Sequence, residues 1–519
     1  MIIVILILIM DLLLGIDAGT SVIKVVAFDL KGNQIAVAAK ANHYEILPNG
    51  GVEQELERTW ADTLEVIRQI LEKLDEHQIV GIAVPGQGSG TWLIDEDGSP
   101  VGRGWLWLDA RAADLVDSYG KSSNARRRFE LTGTGLAACD QGPQMLWMKK
   151  YQPEILKESA TVFHCKDWLY FNLTGVRATD PTESVFSCGD FRERDFSDEV
   201  IELLGLTEQK ALFPKVFDGT KVSHPLSDNV ARFCGLQSGI PVVLGYVDVI
   251  CTALGSWLYD PGYQPGCTII GSSGMHMRYV DSVDEVKLNQ ESTVYTMVYP
   301  VDGTYSQMQS NMAATLNIDW MLDLAIDVLR FQGIQKNRSD LLKDLDQHIL
   351  DASPAEFLYH PYISQAGERG PFINANARAS FIGLSSKHGY FDMLRGVYEG
   401  LSFAARDCYE SAGGVPAEVR LSGGAARSKA LRKIMGSVLK TRFRTAERGE
   451  AGASGVAMMA AVSLGIYPTM AACVKDWVHP YLSEAEEYDA SQSQIYDSLY
   501  PIYIEARQAY LPLWKLLNN

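Results

Sequence analysis

Two short turns, set about half a chain apart, constrain this sequence more than any other feature. The first, Asp17-Ala18-Gly19-Thr20-Ser21, joins an apolar run at residues 12–17 to another at residues 22–29. The second, Gly271-Ser272-Ser273-Gly274, joins residues 267–270 to residues 275–280 in the same way. Each reads as strand, tight turn and return strand. Glycine lets backbone N–H groups converge on one point, and hydroxyls add further donors, so both turns have the composition of an anion grip. Taken alone, the first is as readily an ordinary hairpin and the second a flexible loop. Together they suit a polyphosphate held in a cleft between two similar domains, one turn from each side.

Length and charge agree with that picture. A chain of 519 residues is too long for one ordinary core. With 47% hydrophobic and 21% charged residues it has a globular composition. A formal charge of −18 disfavours nucleic acid or an anionic membrane surface as a general partner. It leaves room for a bound nucleotide, because local amides, a lysine and a divalent cation outweigh a distant field. The eight cysteines are scattered, with no Cys-x-x-Cys pair, so neither a metal site nor a disulfide framework is expected. Buried free thiols in a reducing cytoplasm are the expectation. Residues 1–10 (MIIVILILIM) are wholly apolar but fall short of the roughly 20 residues that a membrane span needs. With no basic residue before the run and no cleavage site after it, residues 1–9 read as a start-site extension, translation beginning at Met10.

The first turn opens a β-meander whose third strand covers residues 34–40. An amphipathic helix is expected over residues 56–77, then a strand at 79–84 that breaks into Pro85-Gly86-Gln87-Gly88-Ser89-Gly90. A glycine-rich break at a strand end is a natural place for a pocket. Asp95-Glu96-Asp97-Gly98 lacks the later ligands of a calcium loop and reads as a hairpin turn. A buried strand at 241–244 leads to Asp248 and a helical run through Leu254. The linker chemistry of Asp260-Pro261-Gly262 places a boundary that divides the chain into domains at 10–258 and 259–519. Helices are expected around residues 393–405, 429–439, 452–464 and 491–517.

Within these elements, Asp17 is the anomaly of the first turn. An ionised carboxylate repels a phosphate, so it makes sense there only through magnesium or its water. Asp248, at the head of a helical run, reads on its own as a helix N-cap.

Asp17-x-Gly19-Thr20-Ser21-x-x-Lys24, the second turn, and Leu421-Ser422-Gly423-Gly424-Ala425 together resemble the FGGY carbohydrate kinases. Trp107-Leu108-Asp109-Ala110-Arg111, QMLWMK at 144–149 and RGVYEG at 395–400 extend the resemblance over residues 10–517. It implies an α/β fold of two actin-like (ribonuclease-H-like) domains with an interdomain cleft for ATP and substrate, and ATP with Mg2+ as cofactors. It implies Asp248 as catalytic base. Asp17, Gly19, Thr20, Ser21 and Lys24 would grip the phosphates, with Asp17 meeting magnesium through water, while Gly271, Ser272 and Ser273 face them from the second domain. Gly423, Gly424, Ala425 and Ser428 would take the adenosine, although Gly436-Ser437-Val438 stands where many relatives carry Ala-Asp-Val. Substrate contacts are expected from Gln87, Ser89, Asp109, Asp140 and Gln141 as well as Asp248. Three of these have a structural alternative: a glycine-rich turn for Gln87 and Ser89, an Asp109–Arg111 ion pair for Asp109.

The stretches at 86–95, 245–257 and 266–278 are most similar to erythritol kinases. They imply a small linear polyol as partner, with a ketopentose, then glycerol, as alternatives. A homodimer is left open. A non-metabolic actin-like ATPase would share both turns but would need neither Gln87, Asp109 nor a base after Gly245.

Overall fold

The computed structural model describes residues 10–74, 77–445 and 449–517. The segment expected to be a start-site extension, residues 1–9, lies outside the described residues.

The first half of the chain builds a six-stranded sheet. Strands β1 (Met10–Ala18), β2 (Val22–Asp29) and β3 (Gln34–Ala41) form the antiparallel meander, and β4 (His77–Gly86) and β5 (Pro241–Val247) add in parallel on the other side of β1. Leu12, Leu13, Leu14 and Ile16 are all at most 1% exposed. Both faces of the central strand are therefore covered, which explains why it reads as a continuous apolar run rather than an alternating one. Helix α1 (Leu56–Leu71) packs across β2 and β3.

The second half repeats the plan. Strands β6 (Gly266–Ile270), β7 (Gly274–Val280) and β8 (Tyr305–Asn311) are antiparallel neighbours, and β9 (Glu418–Ser422) and β10 (Arg442–Thr445) extend the sheet in parallel from β6. The correspondence between the two turns is thus a correspondence between two sheets: each turn links the first two strands of its meander.

Two expectations shift. The helix expected to reach residue 77 ends at Leu71, and His77 instead opens β4 opposite Met10. Pairing of this backbone with β1 overrides the helical spacing that continues to Leu74. The strand expected to stop before Pro85 runs through it to Gly86. Proline cannot donate to a ladder, and the partner strand β5 shifts register between Leu244 and Val247 at that level.

The two sheets share one apolar cluster, in which Leu13, Ala83 and Val243 join Cys267, Met277 and Val298. Two helices run through it: α2 (Asp248–Gly255), directly after β5, and α3 (Ala451–Ser463), which follows β10 in sequence yet packs on β1 and β4. The helices touch backbone to backbone. A Cβ on Gly255 would lie 2.0 Å from the Ala451 carbonyl oxygen, and one on Gly455 would lie 1.9 Å from that of Cys251. The long helix Ala490–Leu517 closes the second domain, burying Tyr496, Tyr503 and Trp514 as packing. No described helix is long and apolar enough to cross a membrane.

Candidate active site

The first turn is braced from three sides. Gly19 N–H donates to the Val22 carbonyl oxygen at 3.1 Å, closing the hairpin. Thr20 Oγ1 donates to Gln87 Oε1 at 2.8 Å and accepts from Trp107 Nε1 at 2.8 Å. Gln87 Nε2 donates in turn to Gln54 Oε1, whose own amide nitrogen reaches the Thr20 carbonyl oxygen. Gln87 therefore spends both ends of its amide inside this network, holding the phosphate turn against the glycine-rich loop. Ser21 is exposed. Lys24 Nζ lies 2.8 Å from Glu450 Oε2, at the entry to α3, so the lysine of the first turn meets a carboxylate from the second half of the chain.

The second turn is held by backbone bonds. Gly271 N–H donates to the Ser273 carbonyl oxygen at 3.0 Å, and the carbonyls of Ser272 and Gly271 accept from Ala314 and Thr315. Gly271 and Ser272 remain exposed. Beside it, Gly423 adopts φ 93°, and a Cβ there would sit 2.4 Å from the Ile270 carbonyl oxygen. Only glycine fits such a position, so the expected adenosine segment lies against the residue that precedes the second turn. Gly424 and Ala425 continue into a short 3₁₀ turn, and among the described residues nothing lies within 4 Å of the place of a Gly424 Cβ. Ser428 is the N-cap of the helix Lys429–Leu439, accepting from Leu431 N–H and donating to Asp346 Oδ1 at 2.6 Å.

Asp248 stands where β5 becomes α2 and is partly accessible. Its carboxyl is pushed up to about 8, first by burial and then by the neighbouring charge of Asp17, against the opposing N–H of Val249. Asp17 is itself raised to about 6, mainly by burial, with Lys24 opposing and Glu450 reinforcing. A Cβ on Gly452 would lie 2.8 Å from Asp17 Oδ2. The glycine opens space over that carboxylate. Two acids from different strand ends thus face each other electrostatically, next to the braced turn.

The polar residues expected to meet substrate divide into two groups. Ser89, at φ 55°, donates through Oγ to Asp140 Oδ1 at 3.3 Å. Asp140 also accepts from Ala137 N–H and is raised to about 6, chiefly by burial. Asp109 lies elsewhere in the network: it is 1% exposed, accepts from Val52 N–H and pairs with Arg111 at 2.6 Å, whose guanidinium stacks on Trp105. That geometry is the ion-pair alternative. Gln141 donates to the Phe163 carbonyl oxygen.

The model of the FGGY carbohydrate kinase N-terminal domain matches residues 12–255, and that of the C-terminal domain matches residues 266–464. The chain belongs to the FGGY family of carbohydrate kinases. It is a kinase with ATP as a substrate, and its fold is the family's two-domain, actin-like (ribonuclease-H-like) arrangement. It is 48% identical over 511 residues to an erythritol kinase of Brucella abortus, covering 98% of each chain. It is 25% identical over 505 residues to a xylulose kinase of Staphylococcus xylosus, covering 95% of this chain and 99% of that one. Among solved structures, a ligand-bound xylulose kinase from Lactobacillus acidophilus superposes with a TM-score of 0.87 at 20% identity, covering 98% and 100% of the two chains.

This kinase also holds a buried charge cluster that its sequence did not announce. Lys166 Nζ, fully buried, lies 2.6 Å from Asp167 Oδ1 and 2.5 Å from Asp180 Oδ2. Thr182, bonded to Asp180, accepts from Val247 N–H at 3.0 Å, one residue before Asp248. The cluster therefore anchors the strand end that carries the candidate base. The adjacency of Lys166 and Asp167 was visible in the chain, but their meeting with Asp180 depends on the packing of two helices. Lys166→Met leaves two buried carboxylates without a cation and should destabilise this kinase by about 3–5 kcal/mol. Chemical unfolding followed by tryptophan fluorescence measures the loss.

Proposed function

We propose that this kinase transfers the γ-phosphoryl group of ATP to a primary hydroxyl of a small linear polyol, erythritol first. The observation that carries the substrate class is the 48% identity to an erythritol kinase along 98% of both chains. The site chemistry supports the transfer: a carboxylate at a strand end, two donor-rich turns and a lysine are what phosphoryl transfer to an alcohol requires.

In this reading Asp248 accepts the proton of the attacking hydroxyl while the amides and hydroxyls of Gly19, Thr20, Ser21, Ser272 and Ser273 stabilise charge on the phosphoryl oxygens. Lys24 leaves Glu450 for the phosphates. Gly423, Gly424 and Ala425 give the adenosine a flat, side-chain-free wall, and Ser428 shapes its edge by fixing the following helix. Among the described residues no three acidic, His or Cys side chains are grouped to bind a metal directly. A divalent cation held through water suits Asp17, whose carboxyl is raised by burial and by the charge of Glu450, and which in turn raises Asp248. Asp17 would hold Mg2+ through water, and the ion would neutralise phosphate charge. Ser89 and Asp140 offer the polyol a hydroxyl and a carboxylate.

A screen of ADP release over erythritol, glycerol, xylitol, ribitol, xylulose and ribulose tests the proposal. Erythritol should give the highest kcat/KM. A ketopentose at the head of the ranking would replace the polyol by a ketose and agree with the more distant xylulose kinases.

A further inference from the structure

The first phosphate turn is followed by Lys24, whereas Gly271-Ser272-Ser273-Gly274 contains no cation. The strand after it supplies none before Arg278, whose guanidinium turns to the Glu285 carbonyl oxygen at 2.7 Å. The fold brings one from a loop almost a hundred residues on. Arg369 is exposed, and its Nε donates to Ser310 Oγ at 3.2 Å. Ser310 pairs with Met275 across β7 and β8, and its neighbour Asn311 pairs with Gly274, the last residue of the turn. Among the described residues no carboxylate forms an ion pair with this guanidinium. Arg111, Arg395 and Arg420 are each paired with one. A guanidinium left unpaired beside a phosphate turn is a ready ligand for an anion.

The backbone under Arg369 is fixed. Glu368, 3% exposed, accepts from Met312 N–H at 2.8 Å and from Arg369 N–H at 2.9 Å. Asn311 Nδ2 donates to the Gly370 carbonyl oxygen at 3.0 Å, and a Cβ on Gly370 would fall 2.5 Å from the carbonyl oxygen of Ser310. Residues 311–315 also seat the turn, since Ala314 N–H reaches the Ser272 carbonyl oxygen and Thr315 N–H that of Gly271. One segment therefore sets the spacing between turn and arginine. A donor carried on so constrained a backbone is preorganised for a ligand.

In the other direction Arg369 faces the substrate loop. Burial and the charge of Asp140 push the Cys139 thiol up while Arg369 opposes them, and the same influences act on Tyr295. The Cys139 carbonyl oxygen accepts from Gly90 N–H at 3.1 Å, next to Ser89, whose hydroxyl meets Asp140. The guanidinium thus stands between the turn that would hold the phosphates of ATP and the residues that would hold the acceptor. We propose that Arg369 is a catalytic residue, its Nη groups donating to the γ-phosphoryl oxygens as that group passes from ADP to the acceptor hydroxyl. The bond from phosphorus to the ADP oxygen breaks, the bond to the acceptor oxygen forms, the hydroxyl proton goes to Asp248, and the arginine keeps its own protons. The inference rests on the phosphate roles proposed above for the two turns.

Wild type, Arg369→Ala and Arg369→Lys are compared by steady-state kinetics on whichever acceptor heads the screen above. Failure of erythritol there counts against the polyol and not against the arginine. Loss of one preorganised donor to a transition-state oxygen corresponds to about 10²–10³-fold in kcat. Arg369→Ala should lose that factor while its KM for ATP and for the acceptor stay within about threefold of wild type, because the contact is strongest in the transition state. Guanidinium ion in millimolar amounts should restore part of the rate to Arg369→Ala and none to Asp248→Asn. Arg369→Lys, which keeps the charge but not the fork, should fall in between. The melting temperature without nucleotide should not move. If Arg369→Ala does not fold, Arg369→Gln, which keeps an amide donor for Ser310, carries the same prediction for kcat. A folded variant with wild-type kcat overturns the inference. A loss confined to the KM of the acceptor also overturns it, by making the arginine a contact of the polyol. So does a fall in kcat that tracks a fall in melting temperature and that guanidinium does not relieve.

Discussion

Asp248→Asn lowers kcat by about 10²–10⁴-fold while ATP binding persists, because the amide cannot take the proton of an attacking hydroxyl. The same variant becomes more stable than wild type at pH 8. The folded-state carboxyl sits at about 8, against an ordinary value of 3.8, so the folded state favours the protonated form. Stability from that preference is fully present below pH 3.8 and is lost as pH rises towards 8. Asparagine never pays the cost of ionising beside Asp17, so the difference in melting temperature should open between pH 4 and pH 8, measured by calorimetry without nucleotide. The N-cap reading of Asp248 does not hold, since Val247 occupies the N-cap of α2 and no side chain caps it, so an inactive variant of undiminished stability marks Asp248 as a functional carboxylate. Near-normal turnover would remove Asp248 from the mechanism.

Gly455→Val is expected to damage both stability and catalysis. Its Cβ would fall 1.9 Å from the Cys251 carbonyl oxygen, a backbone atom that cannot swing aside. The helices α2 and α3 must separate, at about 3 kcal/mol or more. Cys251 lies one residue short of a helical turn beyond Asp248, so the shift reaches the base. A displacement near 1 Å costs on the order of 10²-fold in rate. Thermal unfolding and kcat on the soluble fraction should fall together. Gly465→Ala, whose added methyl meets no neighbour in space but is strained by φ 71°, offers a comparison in which stability falls without the active site moving.

What the chain made legible was local. The turns at 17–21 and 271–274 are each written in a handful of consecutive residues, and the hairpins that flank them needed no distant information. Asp248 was recognisable as a base only through the family resemblance, because the strand, glycine and helix around it read by themselves as the setting of an N-cap. The limits of α1 were less legible, since Leu74 continues its spacing while the pairing of His77 with Met10 decides where it stops. Gln87 was expected at the substrate; its amide bonds to Gln54 and Thr20, partners 33 and 67 residues away, that no spacing rule connects. The same holds for Lys166 and Asp180. Each is an unremarkable polar residue in sequence, and only the packing of their helices gives them a common address.

The two turns and Asp248 are expected to deliver a phosphoryl group to a polyol rather than to water. The most direct test is the fate of label from γ-32P-ATP incubated with the wild-type protein and erythritol. One equivalent of labelled polyol monophosphate should form for each ADP, with negligible ADP when the polyol is left out. Label released only as inorganic phosphate, at a rate indifferent to any polyol, would contradict it.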